Sequence, residues 1–108
     1  MREGTYIVRS AAWRQPGAAA GAFAPLPLAH GTLRLADGYC TAVLILHDEA
    51  LCGTFEEIAE KGRCVDVQVT VSLRDEPLLL GGAPMVWRTD GTCVLRVTSA
   101  PIREAAAA

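Results

Sequence analysis

The run from Val65 to Leu73 constrains the fold more than any other part of the sequence. Apolar residues stand at every odd position of this run, and polar residues stand at every even position. Successive side chains of a β-strand point to opposite faces, so the pattern predicts a strand with one side packed in a core and the other in water. The chain therefore needs a sheet that covers a core.

A short helix is predicted directly before that strand, over about residues 54–61. Thr54 and Glu57 have the spacing of a capping box, in which the two side chains satisfy free backbone N–H groups at the start of a helix. Glu57 can also pair with Lys61 one turn later, and Gly62 suits the left-handed residue that ends many helices. The apolar side of this helix would consist of Phe55, Ile58 and Ala59.

Two Asp-Gly pairs, at 37–38 and 90–91, predict tight hairpin turns, because both turn residues need a positive φ. The β-branched and apolar runs beside them and near the start of the chain predict further strands. These strands cover residues 5–9, 31–36, 39–47, 85–89 and 92–99. Within them, Ala42–Leu46 is apolar at every position, which predicts a strand buried on both faces, in the middle of the sheet or at the seam of an interface.

Two segments rich in proline and glycine predict connections without regular structure. Residues 15–27 form a long loop or arm by composition, and a loop of that length in a small domain is usually functional or part of an interface. Residues 77–84 predict a connector that carries an apolar plug. Residues 101–108, which end in four alanines, predict a flexible tail.

The length of 108 residues predicts one domain over residues 1–100, because a chain of this size has no room for two cores. Hydrophobic residues make up 51% of the chain and charged residues only 20%. This excess predicts that a partner protein or a second copy covers part of the surface. The candidate interface residues are large apolar side chains, namely Trp13, Phe23, Leu78, Leu79 and Leu80.

Charge and targeting signals narrow the possible partners and location. A net charge of −2 and a pI of about 5.6 provide no overall positive field, which disfavours tight binding of nucleic acid by this chain alone. The first residues lack the pattern of a secretion signal, and the longest apolar run is far below the roughly 20 residues of a membrane span. We therefore expect either an intracellular protein, nuclear or cytoplasmic, or a virion-associated protein, without membrane contact.

The four cysteines predict packing residues more than chemistry. Cys40, Cys52, Cys64 and Cys93 contain no C-x-x-C pair, and an intracellular location favours reduced thiols over a disulfide. His47 and Cys52 form a weak candidate for nucleophilic catalysis. Phosphate-binding and dinucleotide-binding glycine motifs are missing from the sequence, so we expect neither a cofactor, nor a metal, nor an enzyme activity.

The order of predicted elements resembles that of the OB-fold superfamily. The residues that carry this resemblance are the Gly31–Leu35 entry, the Asp37-Gly38 turn, the helix that ends at Gly62, and the Val65–Leu73 strand. It implies a mostly β, five- to six-stranded Greek-key barrel with one short helix between strands three and four. The sequence is similar, more loosely, to the small accessory subunits of replication protein A and of the telomere-capping trimer.

The OB-like resemblance implies a non-enzymatic accessory subunit that acts by protein–protein association in a nucleic-acid maintenance complex. Direct contact with a single strand would use the aromatic and cationic residues near the hairpins: Arg34, Tyr39, Trp87, Arg88 and Arg96. The alternative is a virion structural protein, since small alanine-rich acidic chains with a loose arm also look like capsid decoration proteins of tailed phages. In that case residues 15–27 would contact neighbouring subunits.

Overall fold

Eight strands and one helix follow one another in the computed structural model, which describes residues 2–15, 22–89 and 91–99. The strands are β1 (Gly4–Arg14), β2 (Ala24–Pro25), β3 (Leu28–Ala36), β4 (Tyr39–Leu46), β5 (Val65–Val71), β6 (Leu78–Gly82), β7 (Pro84–Thr89) and β8 (Thr92–Ser99). The helix α1 spans Glu49–Glu60 and lies between β4 and β5. Across the described ranges, no helix has both the length and the hydropathy needed to cross a membrane.

The strands form one curled antiparallel sheet with the order β6-β5-β1-β3-β4-β8-β7, and β2 pairs with β1 outside this path. A single residue, Ala83, separates β6 from β7, so the two ends of the strand order are neighbours along the chain. As the sheet curls, β6 comes very close to β8: a Cβ added at Gly82 would lie 2.5 Å from the carbonyl oxygen of Thr98. The result is a barrel-like sheet whose inner side encloses the core.

The prediction of a mostly β, barrel-like fold with one helix is confirmed, but its strand count and the place of the helix need correction. The sheet has eight strands where five or six were expected, and the helix follows β4 where it was expected between strands three and four. One added strand is β2, which pairs Ala24 and Pro25 of the arm with β1. Another is β6, which occupies the segment predicted to be a connector and pairs with β5.

The alternation predicted for Val65–Leu73 is confirmed as far as Val71, because Val65, Val67, Val69 and Val71 are all fully buried while the residues between them are half-buried. It is wrong for Leu73, which is exposed in the turn that follows the strand. In β4 the prediction of burial on both faces is wrong for the described chain. Leu44 and Leu46 lie in the core, whereas Val43 and Ile45 are only half-buried. The position of β4 in the middle of the sheet, between β3 and β8, is as predicted.

The helix begins six residues earlier than the predicted capping box, with Asp48 in place of Thr54 at its start. Asp48 is the N-cap, and its carboxylate accepts a hydrogen bond of 3.0 Å from the backbone N–H of Leu51. Thr54 lies inside the helix and donates to the carbonyl of Ala50. The capping-box prediction is wrong because Asp48 provides the same chemistry earlier in the chain and with extended backbone angles, φ −143° and ψ 104°.

The predicted end of the helix is confirmed. Gly62 has a φ of +66°, and Lys61 donates to the Glu57 carboxylate at 2.8 Å. This contact lowers the pKa of Glu57, first through the hydrogen bond and then through the charge of Lys61. The Asp37-Gly38 turn is confirmed as well, with φ values of 55° and 77°.

The described part of the arm lies on its own barrel. Leu26 is buried in the core, and its backbone N–H donates to the carbonyl of Ala11 at 2.9 Å. The Arg14 guanidinium lies 4.4 Å from the centre of the Phe23 ring. The rest of the arm, residues 16–21, and the predicted tail, residues 101–108, lie outside the described residues.

Candidate interaction face

The outer side of β3, β4, β8 and β7 forms a continuous surface that we call the four-strand face. Residues directly opposite each other in an antiparallel pair share one side of the sheet, so the register defines rows of neighbouring side chains. One row crosses all four strands as Thr32, Val43, Arg96 and Met85, and the next row crosses them as His30, Ile45, Val94 and Trp87. Leu44 and Leu95, which alternate with these residues, point into the core.

Apolar side chains dominate the two rows and remain accessible to solvent. Trp87 is 40% exposed and Met85 is 51% exposed, while Val43, Ile45 and Val94 are half-buried. Ile7 of β1 is exposed as well and lies opposite Thr32, so it extends the first row. A contiguous exposed apolar surface of this kind is typical of an interaction site.

The charges on the four-strand face are positive. Arg96 occupies the middle of the first row, and its terminal NH2 group donates to the Met85 sulfur at 2.7 Å. Its Nε is shielded from solvent and has no hydrogen-bond partner among the described residues. Arg34 is exposed and lies beside Thr41 in an adjacent row. The described residues of this face include no aspartate or glutamate.

Four of the five predicted nucleic-acid contacts, Arg34, Tyr39, Trp87 and Arg96, lie on the four-strand face. The fifth, Arg88, lies on the opposite side of β7 because it is the neighbour of Trp87 along the strand.

Arg88 forms ion pairs with two glutamates of α1, Glu49 and Glu56, and its distance to the Glu56 carboxylate is 2.7 Å. These hydrogen bonds raise the pKa of Arg88 further, and the same contact lowers the pKa of Glu56. Arg88 therefore ties the helix to the sheet.

The predicted interface residues occupy other places. Trp13 packs edge-on against Phe55 of α1, with ring centres 4.7 Å apart. Leu78 and Leu80 belong to the core, and Leu79 is exposed opposite Gln68. Phe23 packs under the guanidinium of Arg14.

Sequence reasoning did not single out Val43, Ile45, Val94 and Met85 as site residues. The unbroken apolar run Ala42–Leu46 was the signal for the first two, because it exceeds what one buried side of a strand requires.

Three of the four cysteines are buried, whereas His47, just before α1, is exposed. Cys52 and Cys93 are buried side by side, and desolvation together with the contact between the thiols raises the pKa of Cys93 to about 12. Burial likewise raises the pKa of Cys40 to about 11. His47 is exposed, while the thiol of Cys52 is inaccessible. All four cysteines are free. The packing prediction is confirmed for the three buried ones and is wrong for Cys64, which is exposed.

A cleft of about 340 Å³ lies beside the end of α1, lined by Gln15, Ile58, Arg63 and Cys64. Within the described ranges, no cluster of three or more histidine, cysteine or acidic side chains has the geometry to hold a metal ion.

No family model matches the chain, and the search of curated proteins found no match. Among solved structures, the chain is similar to the crystal structure of a hypothetical protein from Staphylococcus aureus, with a TM-score of 0.75. The two share 13% sequence identity, and the alignment covers 95% of this chain and 71% of the other. The similarity shows that this curled sheet with its single helix is a fold that another protein also adopts.

Proposed function

We propose that this chain is a non-enzymatic binding subunit that acts by protein–protein association through the four-strand face. The observation that carries the proposal is the exposed apolar cluster around Ile45, Val94 and Trp87. Cores of protein interfaces are enriched in aromatic residues, methionine and arginine, and the four-strand face combines Trp87, Met85 and Arg96.

From the resemblance of the element order to the OB-fold, we propose that this subunit works in an assembly that handles nucleic acid. Tyr39, Trp87, Arg34 and Arg96 give the face a small set of stacking and cationic groups for an adjacent single strand. Because the chain as a whole has a net charge of −2, we propose that such a contact is secondary to protein association. The described part of the arm contacts its own barrel, and the virion alternative stays a prediction without a supporting contact.

The test compares substitutions on the two outer sides of the sheet. The tagged chain and its variants Ile45→Lys and Trp87→Ser are expressed in the source cells, and co-purified proteins are quantified by mass spectrometry. We expect both variants to lose the partner, because a buried charge or a missing aromatic anchor removes the centre of the interface. Leu79→Lys is the matched control. Leu79 is 48% exposed, close to the 40% of Trp87, and it lies on β6 beside β5, away from the four-strand face.

Each variant is first checked for native circular dichroism and a cooperative melt, so that a folding defect is not counted as lost binding. Equal recovery of the same partners by all variants would contradict the proposed use of the four-strand face.

A further inference from the structure

We infer that Arg96 is the polar anchor of the four-strand face and that it binds a carboxylate of the partner protein. This inference rests on the proposed association through that face and names the chemistry of the partner surface: apolar, with an aspartate or glutamate opposite Arg96.

The hydrogen bonding of Arg96 is incomplete within the described chain. A guanidinium has five N–H donors, and in this case one of them faces a thioether sulfur, which is a weak acceptor. The Nε–H is shielded from solvent and finds no partner among the described residues. The other guanidinium donors of this half-buried side chain are the ones that a partner can reach. Covering them without an acceptor would cost free energy, so a partner that supplies an acceptor gains affinity at this point.

The neighbours of Arg96 favour a charged acceptor in a desolvated setting. Val43 lies opposite it on β4 and Met85 lies opposite it on β7, and both are apolar. A partner that covers these residues also excludes water from the guanidinium. A carboxylate is the matching acceptor, because it takes two parallel N–H donors of arginine and neutralises the charge.

Two other occupants fit the face less well. A second copy that docks through the same face would bring arginines together without an acid, since the described residues of the face carry none. A nucleic-acid strand would need a longer cationic track, and the row next to Arg96 consists of Ile45, Val94 and Trp87 beside His30. A protein surface with a carboxylate satisfies both the apolar rows and the arginine.

The test uses a phage-displayed library of random peptides, selected on the full-length wild-type chain. Synthetic versions of the selected peptides are then titrated against wild type, Arg96→Gln, Arg96→Lys and Trp87→Ser by fluorescence anisotropy. We expect Trp87-dependent binders to contain an aspartate or glutamate. Arg96→Gln should weaken them by roughly tenfold or more, as for a lost charged hydrogen bond, with a smaller loss for Arg96→Lys.

Arg63→Gln is the matched control, since Arg63 is exposed beside the cleft at the end of α1 and away from the four-strand face. Changing the peptide acid to its amide should cost as much as Arg96→Gln, and the two changes together should cost no more than one alone. That coupling is the signature of a direct contact.

The contrary outcomes separate the two proposals. Binders that depend on Trp87 but not on Arg96 would overturn the carboxylate anchor and leave protein association intact. If no peptide depends on Trp87, both proposals fail. Binding of oligo(dT) that is lost in Arg96→Gln would replace the carboxylate with a phosphate, and a concentration-dependent dimer that Arg96→Gln strengthens would identify a second copy as the occupant.

Discussion

The outer surface of the sheet is polar over β1 and β5 and mainly apolar on the four-strand face. On the outer side of β1 and β5, Arg14 pairs with Asp66 at 3.2 Å, and Gln68 and Thr70 continue the polar surface. On the four-strand face, valine, isoleucine and tryptophan occupy the equivalent outward positions, as in Ile45. Both sides cover the same core, so the core does not require the apolar character of the four-strand face. That character is the basis of the proposed contact with a partner.

The largest effect is expected at Gly82, where β6 approaches β8 as the sheet curls. A Cβ at this position would lie 2.5 Å from the Thr98 carbonyl oxygen, which is backbone and cannot rotate away. We expect Gly82→Ala to lower the free energy of unfolding by about 3 kcal/mol, measured by urea denaturation. Gly53→Ala in α1 meets no atom within 4 Å and should stabilise by up to about 1 kcal/mol. An unchanged stability of Gly82→Ala would show that the curl is looser than described.

Two valines of β8, one on each side of the sheet, allow the packing of the inner side to be compared with that of the four-strand face. Val97 is fully buried, whereas Val94 is half-buried on the outer side. Replacement by threonine keeps the shape of the side chain and adds a hydroxyl. Val97→Thr should lower the free energy of unfolding by about 2 kcal/mol, because the buried hydroxyl has no hydrogen-bond partner. Val94→Thr should cost less than about 0.5 kcal/mol in the isolated chain. Equal costs in urea denaturation would mean that the outer side is packed within the chain and is not a free face.

Leu73 is an exposed apolar residue outside the four-strand face, and its backbone conformation is strained. It is fully exposed in the turn after β5 and has a φ of 68°, which side chains other than glycine rarely adopt. Arg9 holds this turn by donating to the carbonyls of Val71 and Arg74. Leu73→Gly should therefore raise the free energy of unfolding by about 0.5 kcal/mol, the relief of strain being partly offset by the entropy of glycine in the unfolded chain.

The control for Leu73→Gly is Leu79→Gly, which places glycine in a strand and should destabilise the chain. Thermal melts of both variants check the signs. A destabilised Leu73→Gly would show that the side chain contributes contacts that its exposure does not reveal.

The sequence predicted those elements whose signals are local. The β5 alternation and the Asp37-Gly38 turn each depend on a few adjacent residues, and both are confirmed. The strand β6 was missed because Leu78–Gly82 has three adjacent leucines before two glycines, and its alternate burial becomes visible only against β5.

The candidate site could be predicted only in part, because it depends on register across four strands. Arg88 and Arg96 have similar local sequences around them, yet one faces α1 and the other lies on the four-strand face. Which side each occupies follows from the pairing of β7 with β8. No local pattern in the sequence fixes that pairing together with the position of the helix.

The smallest expected effect is on the pH dependence of the free energy of unfolding, which should differ between variants at Arg88 and at Arg96. Glu56 has a pKa below its usual value of 4.5 in the folded chain, chiefly because Arg88 donates a hydrogen bond to it. Between the folded and the usual pKa, the unfolded chain takes up a proton that the folded chain does not. The contribution of the pair is therefore fully present above the usual pKa and is lost as the pH falls through the folded pKa.

Urea denaturation from about pH 6 to about pH 3 measures this loss. Arg88→Gln should make the decline of unfolding free energy with falling pH shallower, since Glu56 then titrates alike in both states. Arg96→Gln should leave the slope of wild type, because no described acid contacts Arg96, and the Glu57–Lys61 pair contributes equally to all three proteins. A shallower slope in Arg96→Gln would show that this arginine already has an acidic partner within the chain, and the difference between the two arginines would disappear.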